Sequence, residues 1–260
     1  MATALSGGIL ASPSSSQAWT IKEPQTAPGT PVAGLQSMSP LPKAFAPSSV
    51  ILFQGDSITD GGRWTTGMDY NHIMGQDYCY IIAGKMQSEY PDANLNFVNR
   101  GVSGNTVKDL ADRWQIDTID LKPSLVSVLV GVNDAMHTLG RIAPAEAGAN
   151  YRQVYEALIT QTTSALPGVQ FVLGQPFVLP VGARLGNFAD WKAQVRAMRE
   201  ASESLALKYD LPYVRYGEMF DAASKRASPD HWTWDGIHPT YAGHYLMHSL
   251  WLETVMAFYG

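Results

Sequence analysis

The sequence predicts a three-layer α/β/α sandwich around a five-stranded parallel sheet. From residue 50 onward, short apolar runs alternate with longer segments of helical periodicity, which is the pattern of repeated βα units. The chain has 260 residues and 45% of them are hydrophobic, so it can bury the core of one α/β domain. These observations predict one folded domain over residues 50–260.

Five short apolar runs are predicted to form the strands. Parallel strands need right-handed crossovers, so the intervening helices cover both faces of the sheet. This arrangement favours a flavodoxin-like strand order, in which the switch point lies between the first and third strands. The predicted strands are Val50 to Gln54, Leu95 to Asn99, Leu125 to Val130, Val169 to Gly174 and Pro212 to Arg215.

Five helices are predicted between and after these strands. The first covers Tyr78 to Tyr90, and the last begins near Thr240, directly after Pro239. Each of the four later helices has apolar residues at the spacing of one buried helix face. These stripes are Val107, Leu110, Ala111 and Trp114; Tyr151, Val154, Tyr155, Leu158 and Thr162; Trp191, Val195, Met198, Ser202 and Leu205; and Met247, Leu250, Trp251, Thr254, Val255 and Phe258.

Residues 1–49 differ in composition from the predicted domain. Residues 2–18 are rich in Ala, Ser and Gly and carry no charge, and Ser16-Gln17-Ala18 before Trp19 is similar to a signal-peptidase site. Two interpretations stay open: the remnant of an export signal, which would place the protein outside the cytoplasm, and a leader without a targeting role. Residues 20–49 hold many prolines between polar residues, which favours an extended tether or a strap over the domain.

Composition and charge argue against several classes of partner. The net charge of −5 and the 16% of charged residues give no basic surface for nucleic acid or anionic membranes. The lone Cys79 excludes an intrachain disulfide and a thiolate metal cluster. His244 and His248 lack a third ligand, so neither a metal nor another cofactor is predicted. No stretch approaches the roughly 20 apolar residues that a membrane-spanning helix needs.

A serine follows the first predicted strand directly. The apolar run stops at Gly55-Asp56-Ser57, which places the Ser57 hydroxyl in a polar turn. Gly104 follows the second strand and Asn133 the third, and open α/β sheets bind ligands at the carboxyl ends of their strands. Topology alone therefore predicts that these three residues lie at one crevice.

Serine becomes a nucleophile when a base takes its proton, and the usual base is an imidazole held by a carboxylate. Asp235 and His238 are three positions apart in a predicted turn, so the two side chains can lie together. The Asn133 amide and the backbone N–H groups of Ser57 and Gly104 could stabilise an oxyanion. Each feature alone has an ordinary interpretation as a surface turn, a glycine turn or a loop cap.

Four sequence blocks together resemble the SGNH subgroup of the GDSL hydrolase and lipase family. They occur in the family's order, and the resemblance spans residues 50 to about 258. The blocks are Gly55-Asp56-Ser57; Asn99-x-Gly101-x-x-Gly104-Asn105-Thr106; Gly131-x-Asn133-Asp134; and Asp235-x-x-His238-Pro239.

The resemblance implies a role for each matching residue. Ser57 would be the nucleophile, and His238 would act first as general base and then as general acid. Asp235 would orient the imidazole, while Gly104 and Asn133 would donate hydrogen bonds to the oxyanion. The Gly-x-Ser-x-Gly elbow of the ordinary α/β-hydrolases is absent from this sequence.

Within the family, three phrases look most like bacterial acetylxylan esterases, which predicts a small-molecule or oligosaccharide acetyl ester as substrate. Two alternatives stay open: a lysophospholipase or thioesterase with the same machinery, and a non-catalytic carbohydrate-binding relative. The phrases are Phe53-Gln-Gly-Asp-Ser-Ile-Thr-Asp-Gly-Gly-Arg63, Gly104-Asn-Thr-Val-Lys-Asp-Leu-Ala-Asp-Arg-Trp114 and Trp234-Asp-Gly-Ile-His-Pro-Thr-Tyr-Ala-Gly-His244.

Three residues are predicted to contact the substrate. Trp234, next to Asp235, could form the wall of a small acyl pocket or pack in the core. Arg63 could contact substrate or pair with a nearby carboxylate. Gln175 ends the fourth predicted strand at the edge of the crevice. The insert from Gly61 to Gln76 could line the alcohol side of the site or form a contact in a homo-oligomer.

Overall fold

The computed structural model describes residues 40–67, 69–70 and 72–260, so the leader predictions for residues 1–39 lie outside the described residues. Five strands pair in parallel in the order β2-β1-β3-β4-β5, which confirms the predicted flavodoxin-like order. The strands are β1 (Val50–Gly55), β2 (Asn96–Asn99), β3 (Leu125–Leu129), β4 (Gln170–Gly174) and β5 (Tyr213–Val214).

Within the described part of the chain, the five predicted helices are present together with four short helices. The predicted helices are α2 (Tyr78–Glu89), α3 (Val107–Asp117), α5 (Pro144–Ala165), α6 (Phe188–Tyr209) and α9 (Tyr241–Tyr259). The additional helices are α1 (Ser57–Asp60), α4 (Val132–Thr138), α7 (Tyr216–Ala223) and α8 (Pro229–Trp232). Single 3₁₀ turns lie at Pro91–Ala93, Ile119–Leu121 and Gly182–Arg184.

Helices cover the two faces of the sheet. Phe53 and Ser127 are neighbours across β1 and β3, and both contact Trp251 of α9. Successive side chains in a strand point to opposite faces, so Gln54 and Val128 face the other layer. There the Gln54 side chain donates to the carbonyl of Asp117 at the end of α3. Helices α2 and α9 pack on each other in the first layer, and α5 packs on α3 and α6 in the second.

The segment just before β1 lies against the first layer. Ala44 and Phe45 are buried, and the Phe45 ring stacks on Trp251 with 6.4 Å between centroids. The backbone N–H of Ser48 donates to the carbonyl of Ala93 at 2.8 Å, which fixes this segment beside β2. Among the described residues, no helix is both long and apolar enough to cross a membrane.

Candidate active site

The turn after β1 gives Ser57 its position. A Cβ atom at Gly55 would lie 2.3 Å from the carbonyl oxygen of Leu129, so only glycine fits where β1 passes into α1. The Asp56 carboxylate then accepts the backbone N–H of Ile58 at 3.0 Å and caps α1. Ser57 is the first residue of this helix, beyond the carboxyl end of β1. The sequence predicted a turn here, and the structure adds one helical turn.

Ser57, His238 and Asp235 form a chain of hydrogen bonds. The Ser57 Oγ lies 2.8 Å from the His238 Nε2, and the His238 Nδ1 lies 2.9 Å from the Asp235 Oδ2. The other oxygen of Asp235 accepts the backbone N–H groups of Ile237 at 3.0 Å and His238 at 2.8 Å. An imidazole placed in this way can accept a hydroxyl proton on one nitrogen while the carboxylate holds the other.

The surroundings of Asp235 favour its ionised form. Partial burial acts to raise the pKa of this carboxyl, but hydrogen bonds from the His238 and Ile237 backbone and from the His238 ring outweigh burial and lower the pKa. The Arg184 guanidinium also lies 3.6 Å from Asp235 and packs over the Trp191 ring. Arg184 could not be predicted from the sequence, because its loop carries no pattern that points to Asp235.

The glycine-rich turn after β2 packs closely against α1. A Cβ atom at Gly101 would lie 2.3 Å from the backbone nitrogen of Asp60, so a larger residue would push the turn away from α1. Gly104 has a φ of +85°, a backbone conformation that favours glycine, and open space surrounds its α-carbon. The turn therefore presents its backbone beside α1, and no side chain covers the backbone at Gly104.

Side chains hold this turn from two sides. The Asp60 carboxylate accepts both the backbone N–H of Ser103 at 3.2 Å and its hydroxyl at 2.6 Å. On the other side, the Asn133 amide donates to the carbonyl oxygen of Asn105 at 3.0 Å. The predicted residues Gly104 and Asn133 thus lie, like Ser57, beyond the carboxyl ends of the strands.

Three hydrogen-bond donors at this place remain available for a ligand. Within the part of the chain that the structure describes, the backbone N–H groups of Ser57 and Gly104 donate to no acceptor. Asn133, in the first turn of α4, uses one amide hydrogen on Asn105 and keeps the other. Such donors can stabilise negative charge on a carbonyl oxygen.

Arg113 of α3 connects the strand ends around the candidate site. Its Nε donates to the Asn105 side chain at 2.8 Å, and one terminal nitrogen donates to Gln54 at 2.9 Å and to the Arg100 carbonyl at 2.8 Å. The same nitrogen lies 3.1 Å from Asp117. The sequence does not indicate this role for Arg113, because its partners Asn105, Gln54 and Arg100 lie in or after other strands.

Two carboxyl groups, one buried and one partly buried, lie next to the candidate residues Ser57 and Asn133 in the chain. Asp56 is 1% exposed, and burial raises its pKa to about 7, aided by the nearby Asp134. One oxygen of Asp56 has no hydrogen-bond partner among the described residues. Burial likewise raises the pKa of Asp134 to about 7, although its carboxylate accepts the backbone N–H of Val107. Each of the two carboxyl groups thus accepts a backbone N–H group of its surrounding loops, which gives both a structural role.

Trp234 lies at the surface beside His238. Its side chain is 65% exposed, and its ring stacks on the His238 imidazole with 5.2 Å between centroids. The core-packing interpretation of Trp234 is therefore wrong. The exposed ring covers one side of the imidazole and remains available to a bound molecule.

The other two predicted contact residues are engaged within the fold. The Arg63 guanidinium donates to the Gly101 carbonyl at 2.9 Å and lies 3.8 Å from Asp60, which matches the carboxylate-pairing alternative. Gln175 is 3% exposed, and its side-chain oxygen accepts the backbone N–H of Gly217 at 2.9 Å. This bond fixes the start of α7, so the structure differs from the prediction that Gln175 faces a ligand.

The Nδ1 atom of each histidine in the last helix already has a hydrogen-bond partner within the fold. The Nδ1 of His244 accepts the backbone N–H of Tyr78 at 3.2 Å, and burial lowers the pKa of His244 to about 4. The Nδ1 of His248 contacts the carbonyl oxygen of Tyr245. The described residues contain no group of three or more His, Cys, Asp or Glu side chains that could hold a metal ion.

Comparison with known proteins gives one family and several relatives. Residues 53–246 match the GDSL-like lipase/acylhydrolase family model. An acetylxylan esterase of Geobacillus stearothermophilus is 31% identical over 211 residues, which are 79% of this chain and 93% of that protein.

Solved structures agree with this match. A Parabacteroides merdae protein described as a GDSL-like lipase has a TM-score of 0.75 and 34% identity, over 81% of this chain and 96% of that one. The acetylxylan esterase Axe2 of Geobacillus stearothermophilus has a TM-score of 0.70 and 28% identity, over 81% of this chain and 95% of its own.

Proposed function

Because the chain belongs to the GDSL-like lipase/acylhydrolase family and is a carboxylic ester hydrolase, we propose that it removes acetyl groups from carbohydrate esters through an acyl-enzyme on Ser57. The observation that carries the catalytic part is the hydrogen-bonded chain from the Ser57 Oγ through His238 to Asp235. The relative that is 31% identical, an acetylxylan esterase, supports the substrate class.

The first half of the reaction forms the acyl-enzyme. The Ser57 Oγ attacks the ester carbonyl while the His238 Nε2 accepts its proton, and Asp235 stabilises the imidazolium that results. Negative charge then develops on the carbonyl oxygen, where the Ser57 and Gly104 N–H groups and the Asn133 amide donate hydrogen bonds. When the tetrahedral intermediate collapses, the C–O bond to the sugar breaks and His238 returns the proton to the sugar oxygen.

The second half releases acetate. A water molecule gives its proton to the His238 Nε2 and attacks the acetyl carbonyl, and the same three donors hold the oxyanion. Collapse breaks the bond to the Ser57 Oγ, which takes the proton back from His238. No group outside the protein other than water is needed to balance this reaction.

The exposed Trp234 ring supports the preference for a short acyl group. It stacks on His238, the proposed general base, and a rigid indole beside that base would leave little depth for a long acyl chain. The Ser57–His238 bond, in turn, argues against a carbohydrate-binding relative without catalysis.

Two assays test the proposal. Initial rates on nitrophenyl esters of increasing acyl length are expected to be highest for acetate, and acetate release is expected from acetylated xylo-oligosaccharides. A maximum at long acyl chains, or turnover of acyl-CoA instead, would support the lysophospholipase or thioesterase alternative. The Ser57→Ala variant is the control for both assays, and equal rates in variant and parent would exclude Ser57 as the nucleophile.

A further inference from the structure

A second groove lies along β2, the edge strand of the sheet. It has a volume of about 710 Å³, and β2, α2 and the end of the insert from Gly61 to Gln76 form its sides. Sites for small ligands commonly have volumes of this order. The groove begins at Ser48 and Asn94, at the amino ends of β1 and β2, whereas the candidate catalytic residues follow the carboxyl ends. The two places share no residue among those described.

Aromatic and apolar side chains form the floor and one wall of this groove. Leu95 and Phe97 are buried at its base, and Tyr70 and Tyr80 line it with exposed fractions of 78% and 44%. Tyrosines are large, rigid and amphipathic, so they offer a flat apolar surface together with a hydroxyl. The C–H faces of sugar rings stack on surfaces of this kind.

Amide side chains form the rim. The Gln87 nitrogen donates to the Leu95 carbonyl at 3.2 Å, and the Asn94 nitrogen lies 3.5 Å from the Ser48 hydroxyl. The side-chain oxygens of both residues accept no hydrogen bond within the described structure, and Asn96 is exposed beside them. These oxygens can accept hydrogen bonds from the hydroxyl groups of a ligand.

No charged side chain lines the groove among the described residues, although 16% of the chain is charged. An ionic ligand would therefore find no partner of opposite charge there. A long acyl chain would leave the amides of the rim without hydrogen bonds, which costs free energy. A neutral ligand with both hydroxyl groups and apolar ring faces fits every part of the lining.

We propose that this groove is a second carbohydrate-binding site, which holds an unacetylated stretch of a neutral oligosaccharide while Ser57 acts on acetyl groups elsewhere on the same polymer. The suggested benefit to catalysis rests on the proposed function. The binding of an oligosaccharide is argued only from the aromatic, apolar and amide side chains that line the groove. Holding the polymer would raise the local concentration of acetyl groups near the active site.

A binding experiment tests the groove without any turnover. The full-length Ser57→Ala protein is titrated with unacetylated xylo-oligosaccharides, and the Kd is compared with that of the same protein carrying Tyr80→Ala or Asn96→Ala. We expect Tyr80→Ala to raise the Kd about two- to tenfold, the range for loss of one aromatic contact. The matched control is Phe258→Ala, which removes a ring that is 43% exposed beside the opposite edge strand, β5. Its Kd is expected to equal that of the parent.

Turnover by the catalytically competent chain separates this inference from the proposed function. We expect Tyr80→Ala to raise KM for acetylated xylan by a similar factor, with kcat and the rate on nitrophenyl acetate unchanged. Absence of acetate release from any acetylated carbohydrate would contradict the proposed function while leaving the binding result to stand. The inference would be overturned if the parent bound no oligosaccharide, if both groove variants bound as well as the parent, or if Tyr80→Ala weakened only the binding of a long-chain fatty acid or an extended peptide.

Discussion

The indole of Trp234 lies nearly parallel to the imidazole of His238, with an angle of 14° between the rings and 5.2 Å between their centroids. The backbone supports this pair, because the Trp234 N–H donates to the His238 carbonyl at 3.0 Å. The stack covers one face of the proposed general base and leaves most of the indole exposed. Trp234 is therefore placed to influence both the position of His238 and the length of the acyl group.

Replacing Trp234 by Ala should change acyl specificity. Removal of the ring frees one face of His238 and opens space beside this proposed general base. We expect kcat/KM for nitrophenyl acetate to fall about tenfold, and the ratio of butyrate to acetate turnover to rise, since a pocket difference of this size changes discrimination by ~1–3 kcal/mol. Steady-state kinetics on the two esters measure both effects.

Trp64→Ala is the matched control for this change. Trp64 is also exposed, at 53%, and also stacks on a histidine, His72, with 4.3 Å between centroids. It belongs to the insert after α1, and the acyl preference is expected to remain that of the parent. An unchanged acetate-to-butyrate ratio in Trp234→Ala would remove Trp234 from the acyl pocket.

Asn133→Ala should lower kcat about a hundred- to a thousandfold, because one of three oxyanion donors is lost. KM should change little, since the donor acts mainly on the charge of the transition state. The hydrogen bond from Asn133 to the Asn105 carbonyl is lost too, which should reduce the free energy of unfolding by about 1 kcal/mol. Kinetics at a temperature well below unfolding separate the two effects, and full activity of the variant would exclude Asn133 from the oxyanion site.

Arg113→Lys should lower kcat although the charge is kept. The guanidinium donates to Asn105, Gln54 and the Arg100 carbonyl at once. The ammonium group of a lysine cannot reproduce this planar set of donors. A small displacement of the turn that carries Gly104 should cost about ten- to a hundredfold in kcat. The control is Arg196→Lys, at an exposed arginine whose partner is Glu200. A kcat equal to that of the parent in a folded Arg113→Lys protein would show that the turn keeps its position without the guanidinium hydrogen bonds.

Asp56 should make the protein less stable as the pH rises. Burial raises its pKa from 3.8 to about 7, so the folded state holds a proton that the unfolded state has released between these pH values. The contribution to the free energy of unfolding is full below pH 4 and is lost as the pH rises through about 7. Asp56→Asn, which is neutral throughout, should therefore gain up to about 4 kcal/mol relative to the parent between pH 4 and pH 8.

Urea unfolding at several pH values measures this difference. The control is Asp112→Asn, at a carboxylate on the surface that pairs with Lys108. Its stability should follow that of the parent across the whole range. Parallel stability profiles of Asp56→Asn and the parent would contradict the assignment of a protonated Asp56 in the folded state.

The long-range order of the sheet was predictable because each strand is a short apolar run followed by a helix with one apolar face. The stripe from Tyr151 to Thr162, for example, is largely buried in α5. The four short helices were not predictable. α1 depends on the Asp56 cap and on the fit of Gly55 against Leu129, and α4 begins after Gly131, whose φ is +129°. These are tertiary constraints, which local periodicity does not contain.

The candidate site likewise contains residues that the sequence indicates and residues that it does not. Ser57, Asn133, Asp235 and His238 could be proposed from the sequence, because they lie in turns after predicted strands or at a defined spacing and within blocks that resemble the family. Arg113 and Arg184 could not, because their partners are distant in sequence and arginines in such positions are usually solvated. The burial of Gln175 could not be predicted for a related reason, since it depends on α7, a helix that the sequence did not reveal.

The most direct test of the account is to map the site at which a small fluorophosphonate ester attaches to the protein. Such a reagent reacts with a serine whose proton is taken by a neighbouring base. Peptide mass spectrometry should find one label, on Ser57, with acetate release lost in proportion to labelling and no label in His238→Ala. A label on another residue, or undiminished acetate release from fully labelled protein, would contradict the role of Ser57.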